Sequence, residues 1–315
     1  MELSPELIRE AAERIRPLAR RTPVMTSRSV DERAGVRVFL KCENFQRGGA
    51  FKIRGASNLI LSLSKDALAR GVVAFSSGNH AQGVAIAAQY AGAQATIAMP
   101  EDTPRSKMAP TRALGAHILT YNRLRDDREA IAARVVRETG GTLVPPYDHP
   151  AIMAGQGTTA LELLEDAPEI DALVTPVGGG GLLAGCATIA KSLKPGIRIF
   201  GVEPELANDT ALSLAAGERI AIPPPKTIAD GLGSPIPGKL TFPVLQRHVE
   251  KILLVSEEQI LETMRFLMER MKIIVEPSGA VAVAAVLNGM LPARIRSAGV
   301  VISGGNVDLD FLKTL

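Results

Sequence analysis

The chain has 315 residues, 46% of them hydrophobic and 22% charged, the composition of a folded globular protein with room for a sizeable core. Its 36 basic and 33 acidic side chains leave a net charge of +3, and with 3% aromatic residues and no Trp it offers no basic, base-stacking surface for nucleic acid. Two cysteines, Cys42 and Cys186, make neither a disulfide framework nor a zinc-ligand spacing, so a reduced, cytoplasmic setting is expected.

The N-terminal stretch MELSPELIREAAERIRPLARR is charged throughout, unlike a signal peptide, and no apolar run is long enough to span a bilayer. Ser4-Pro5-Glu6 starts a helix, with a capping hydroxyl, Pro at the first helical position and an acid in the first turn. VRVFLKCEN (36–44) reads as a strand. GVVAFSSGNHAQGVAIAAQYAGAQATIAMP reads as strand, loop, helix and strand, with the helix from about His80 to Tyr90 stopped by Gly92.

A second helix and strand follow in TPRSKMAPTRALGAHILTY, where Pro110 must bend or interrupt the helix. DDREAIAARVVRETGG and GQGTTALELLEDA are further helices. DALVTPV is a short apolar run suited to a buried parallel strand. GGGGLLAGCATIAKSLKPG is a loop and helix, and IRIFGVEP the next strand. IPPPKT (222–227) reads as a surface connection. Ser256 to Gln259 matches a capping box. Ala280 to Leu287 reads as a buried helix, and AGVVISGGNVD as a final strand ending in a glycine turn. Alternating strands and helices predict an α/β fold with mainly parallel, open twisted sheets and flanking helices.

Two loops carry chemistry. VTPVGGGGLLAG places Gly178, Gly179, Gly180 and Gly181 between a strand and a helix, where free backbone N–H groups and the helix dipole favour an anion, most simply a phosphate. Gly179 to Ala184 also fits the looser dinucleotide pattern G-x-G-x-x-A, with Glu203 near the place of a ribose-binding acid. FSSGNHAQG places Ser76, Ser77, Asn79 and His80 at another strand-to-helix junction, suited either to a carboxylate or to helix capping. In AFKIRGA, Lys52 lies between Phe51 and Ile53, either solvated or kept for chemistry.

Read together, KCENFQRGGAFKIRGA, SSGNHAQGVA, YDHPAIMAGQGT, PVGGGGLLAG, GVEPELAND, TIADG, VEPSGA and SGGNVD resemble, in order, the fold-type-II pyridoxal-phosphate enzymes. The likeness is to their threonine/serine dehydratase and serine racemase branch, which includes the 3-hydroxyaspartate dehydratases, and it covers nearly the whole chain. It implies a tryptophan-synthase-β-like architecture, with a large cofactor-binding domain from 1–70 and 149–315 and a small substrate-binding domain from 71–148.

The resemblance implies pyridoxal 5'-phosphate as cofactor. Lys52 would be its covalent anchor and the general base, with Phe51 against the ring, and apolar neighbours would lower the amine's pKa. Gly178 to Gly181 and the Leu182 amide would hold the phosphate, Asn79 the ring hydroxyl and Ser303 the pyridine nitrogen, with Gly231 and Glu276 completing the cofactor site. Ser76, Ser77, Asn79 and His80 would receive the substrate carboxylate, and Ser77 resembles the second acid/base of the racemases. Glu203, the Ala207 carbonyl and Asp209 resemble the family's Mg²⁺ or Ca²⁺ site.

The activity implied is dehydration and deamination of a β-hydroxy amino acid to a 2-oxo acid and ammonia. L-threonine or L-serine is the favoured substrate, and L-threo-3-hydroxyaspartate dehydration or serine racemisation the alternatives. A second substrate carboxylate would need a cation, which the resemblance assigns to Arg134, with Arg54 and Arg105 as other candidates. Outside this class stand a nicotinamide-dependent oxidoreductase and a non-catalytic pyridoxal-phosphate-binding protein. Many relatives read T-G-S-F-K where this chain has Gly48, Gly49, Ala50, Phe51 and Lys52. The chain stops shortly after SGGNVD, so the regulatory domain of biosynthetic threonine dehydratases, with its feedback by isoleucine, is not expected. A homodimer is implied by the resemblance.

Overall fold

The structure, a computed structural model, describes residues 2–103, 105–122, 125–313 and 315, with the side chains of 105–107 outside that description. Ten strands form two sheets among these residues. They are β1 (Val24–Met25), β2 (Arg37–Cys42), β3 (Val72–Phe75), β4 (Ala95–Pro100), β5 (His117–Tyr121), β6 (Thr142–Leu143), β7 (Ala172–Pro176), β8 (Arg198–Pro204), β9 (Lys251–Val255) and β10 (Ser297–Ile302). The larger sheet runs β1-β2-β10-β7-β8-β9 and the smaller β5-β4-β3-β6. Every pairing is parallel except β1 with β2.

The central strands β7 and β10 are buried along their whole length, as parallel strands covered on both faces must be. The helix Pro277–Leu287 is buried throughout and packs on the larger sheet, so its apolar residues follow no helical period. The strand expected over 36–44 ends earlier, at Cys42, where Glu43–Phe45 turns into a 3₁₀ helix. The helix Arg105–Ala113 runs through Pro110. The capping box at Ser256 forms, with Ser256 and Gln259 each accepting from the other's backbone N–H.

The helix Lys52–Ile60 belongs to neither sheet alone. Its Ile53, Ala56, Leu59 and Ile60 pack into the apolar core beneath the smaller sheet, together with Val72 and Ala74 of β3. It also crosses the helix Pro150–Asp166 closely: a Cβ on Gly155 would lie 2.5 Å from the Arg54 carbonyl oxygen, so only glycine permits the approach. Among the described residues no helix is long and apolar enough to cross a membrane.

Candidate active site

Both chemistry-bearing loops follow the carboxyl ends of parallel strands, the position open α/β sheets use for ligands. β3 ends at Phe75 and the helix Asn79–Ala91 begins four residues later, leaving Ser76, Ser77 and Gly78 as the loop. β7 ends at Pro176 and the helix Gly181–Leu193 follows its glycine loop. The two loops face one cleft, lined also by Phe51, Lys52, Gly231, Glu276 and Ser303. His80 and Leu182 line it too.

Lys52 is the first residue of its helix and partly buried. Its Nζ donates to the Pro146 carbonyl at 2.8 Å and lies 5.1 Å from the centre of the Phe51 ring. Burial pushes its pKa down from 10.5 to about 8, opposed by the negative charge of Glu276. A large share of this amine is therefore neutral near pH 8, the form a nucleophile or base requires.

The tetraglycine loop has no side-chain cap at the start of its helix, so its backbone donors stay open. Gly180 has φ +90°, a conformation L side chains rarely adopt. A Cβ on Gly179 would meet the Tyr147 ring at 2.4 Å. Tyr147 closes over the loop and its hydroxyl lies 3.4 Å from Ser234 Oγ.

On the other side of the cleft, Asn79 Nδ2 donates to Glu276 Oε1 at 2.6 Å, and Asn79 Oδ1 accepts from Asn306 Nδ2 at 2.9 Å. This orients the Asn79 amide. His80 Nε2 lies 2.8 Å from the Val144 carbonyl, and burial, reinforced by the charge of Lys52, lowers its pKa to about 3. The imidazole is thus neutral. Its Nδ1 and the Nε2 of Gln156 are buried without a protein partner, and both residues line the cleft. Ser303 is 3% exposed and donates to the Ser278 carbonyl at 3.3 Å.

These features fit pyridoxal phosphate: an amine of depressed pKa, a side-chain-free anion cradle, an oriented amide, a buried hydroxyl and two orphaned polar atoms. Lys52, the glycine loop with Leu182, Asn79 and Ser303 are the residues that would hold it.

Three cation candidates fare differently. Arg134 does not line the cleft; its exposed guanidinium lies 3.8 Å from Glu138. Arg54 is fully buried in ion pairs with Glu43 and Glu162, so it is not a cation facing substrate. The Arg105 side chain lies outside the described residues. Sequence reasoning missed Arg128, in the first turn of the same helix as Arg134. It lines the cleft and lies over the Phe75 ring at 5.4 Å.

Glu203, Ala207 and Asp209 form a separate buried site, each 0% exposed. Glu203 accepts from the backbone N–H groups of Thr210 and Ala211 at 3.1 and 3.0 Å, which ties it to the helix Asp209–Ala216 and leaves no ribose-facing acid. Burial and then the charge of Asp209 raise its pKa to about 8; burial raises Asp209 to about 7. Both Asp209 carboxylate oxygens lack a protein partner. Among the described residues no three His, Cys, Asp or Glu side chains gather as a metal cluster, but two buried carboxylates with an adjacent backbone segment are a hard-oxygen set that fits a divalent cation.

Two mainly parallel sheets with such a cleft define a cofactor-dependent enzyme of the pyridoxal-phosphate type, and comparison with known proteins agrees. The chain belongs to the pyridoxal-phosphate dependent enzyme family, whose model matches residues 15–304. It is 48% identical over 306 residues to the L-threo-3-hydroxyaspartate ammonia-lyase of Saccharomyces cerevisiae, covering 97% of this chain and 94% of that protein. It is 44% identical over 303 residues to the serine racemase of Schizosaccharomyces pombe, covering 96% and 94%. The structure of maize serine racemase superposes with a TM-score of 0.96 at 43% identity, covering 100% of this chain and 97% of that one.

Proposed function

We propose that this chain dehydrates and deaminates a β-hydroxy α-amino acid, releasing a 2-oxo acid and ammonia. The observation that carries the reading is Lys52, its pKa held near 8, in the cleft between the serine-asparagine and tetraglycine loops. Pyridoxal phosphate, when bound, supplies an electron sink for the substrate α-carbon. Ser76, Ser77 and the start of the Asn79 helix receive the substrate carboxylate with hydroxyl and backbone donors. Neutral His80 contributes no charge there.

Lys52 Nζ takes the α-proton as general base. Ser303 offers the cofactor a neutral hydroxyl, where a carboxylate would hold the ring nitrogen protonated. The proton that Lys52 Nζ takes from the α-carbon would balance the departure of the β-hydroxyl as water, and the elimination product would hydrolyse to the 2-oxo acid and ammonia. Ser77, also in the cleft, would move a proton in racemisation, which stays open as a second activity of the same site.

For the substrate, Arg128 favours L-threo-3-hydroxyaspartate over threonine and serine, because a cation at the cleft suits a second carboxylate. The likeness to a 3-hydroxyaspartate ammonia-lyase supports the same choice. Glu203, Ala207 and Asp209 would bind Mg²⁺ or Ca²⁺. The division into 1–70 with 149–315 and 71–148 is supported by the separate sheets, with the Lys52 helix shared between their cores. A homodimer and a cytoplasmic location complete the reading, the latter supported by two free, buried thiols.

The test is 2-oxo acid release from the three hydroxy amino acids side by side, with wild type and Lys52→Ala. Turnover should require Lys52, with hydroxyaspartate preferred. A Lys52→Ala protein that kept both its visible cofactor absorbance and its turnover would sink the proposal.

A further inference from the structure

Under the Lys52 helix lie two cations and two carboxylates almost cut off from water. Lys41, Glu43 and Arg54 are 0% exposed at the side chain and Glu162 is 16% exposed. Arg54 is the centre. Its Nε and Nη2 take the two oxygens of Glu43, each at 2.8 Å. Its Nη1 and Nη2 take the two oxygens of Glu162 at 2.7 and 2.8 Å. Nη1 also donates to Thr158 Oγ1 at 3.0 Å, and Nη2 to the Arg20 carbonyl at 3.1 Å. Lys41 Nζ lies 2.7 Å from Glu162 and donates to the Thr22 carbonyl at 2.6 Å.

The ions cancel, and burial, the largest influence on Glu43 and one that would raise it, is outweighed only by the Arg54 charge, the Arg54 and Thr22 hydrogen bonds and the Lys41 charge together, so its carboxyl stays below the ordinary range. Stability does not explain such a cluster. Exchanging a buried ion network for well-packed apolar groups is often neutral or stabilising. A guanidinium held on two edges does supply geometry, because a planar fork tolerates little rotation.

The geometry is tied to Lys52. Lys52 and Arg54 are two residues apart on one helix, about 200° around its axis, and Lys52 lines the cleft while Arg54 does not. No side chain caps the first turn of this helix. Its apolar face packs against the smaller sheet's core, a non-directional contact. The Arg54 partners come from the Arg20–Thr22 segment, the 3₁₀ turn Glu43–Phe45 that follows β2 and the helix Pro150–Asp166. Any turn of the Lys52 helix about its axis drags the fork off these acceptors.

We infer that Arg54, clamped between Glu43 and Glu162, is a positioning residue that sets the rotation of the Lys52 helix and so the aim of Nζ into the cleft. The inference rests on the reading of Lys52 as the lysine that holds the cofactor and moves the α-proton. Arg54→Lys keeps the charge and loses the fork. Misplacement of a reacting group by about 1 Å can cost on the order of 100-fold.

The experiment compares wild type, Arg54→Lys, Glu162→Gln and Lys52→Ala in three readouts: visible absorbance of the lysine-linked cofactor against pH, kcat and KM, and Tm. For Arg54→Lys we expect kcat down at least about tenfold with KM within about threefold, and a displaced pH midpoint of the absorbance. Glu162→Gln should move both in the same direction by less. Wild-type kcat and midpoint in Arg54→Lys, with only Tm lowered, would overturn the inference and leave the lysine's role standing. If Arg54→Lys does not fold, Glu162→Gln decides: a displaced midpoint supports the clamp and a wild-type midpoint overturns it. Cofactor absorbance and turnover surviving in Lys52→Ala would instead remove the reading beneath it.

Discussion

Glu276 accepts a 2.6 Å hydrogen bond from the Asn79 amide and also sets its negative charge against the Lys52 amine. The same carboxylate thus orients one cleft-lining group and tunes another. Burial lowers the Lys52 pKa and Glu276 raises it, with a net value of about 8. Glu276→Gln removes the raising influence and keeps a hydrogen-bond acceptor for Asn79. The neutral amine should then persist to lower pH. Capture of pyridoxal phosphate by the cofactor-free protein, followed by absorbance, should show its acidic limb moved to lower pH. An unmoved limb would mean that Glu276 does not act on Lys52.

Arg128 and Arg134 share the helix Arg128–Thr139, yet only Arg128 reaches the cleft. Arg128→Met should raise KM for L-threo-3-hydroxyaspartate roughly 10–100-fold, matching the loss of a charged hydrogen bond worth about 1.5–3 kcal/mol. KM for L-serine should change by less than about threefold on the same grounds. Arg134→Met should leave both substrates unchanged, since its guanidinium is exposed and paired with Glu138. Steady-state kinetics on both substrates checks all three.

Gly179→Ala tests the cradle. The added methyl would meet the Tyr147 ring at 2.4 Å, and overpacking of this kind costs about 1–3 kcal/mol. Tyr147 must move, and Tyr147 lies against the Gly181 backbone as well. Equilibrium titration should show weaker cofactor binding, together with a lower Tm.

The pair Glu203 and Asp209 predicts a response to metal. Two buried carboxylates, one with both oxygens lacking a protein partner, carry a desolvation cost that a bound cation would offset. Added Mg²⁺ should raise the Tm of wild type, with stabilisation of about 2.7 kcal/mol when the ion is at 100 times its Kd. Asp209→Asn should abolish that increment. Thermal unfolding with Mg²⁺ and with a chelator makes the comparison.

Much of this protein is legible along the chain, where structure depends on neighbours. Strand-to-helix alternation, the glycine run after β7 and the serine-asparagine loop after β3 are local features, each read from a few consecutive residues. Lys52 between Phe51 and Ile53 reads locally as either solvated or kept for chemistry, and only the resemblance of the ordered motifs implies its role. Tertiary structure alone decided which cation meets the cleft and which is buried. Arg128 and Arg134 are six residues apart, about 240° around the helix axis once full turns are removed, and only packing selects the face that turns inward. Arg54 reads as one more charge beside Lys52 until Glu43 and Glu162 arrive from the turn after β2 and a distant helix. Tyr147 over Gly179 and the unpartnered carboxylate of Asp209 are likewise products of through-space contact. Local pattern determined the elements and the loops; long-range packing determined which side chains share a cleft, because burial and pairing depend on residues that a linear reading keeps far apart.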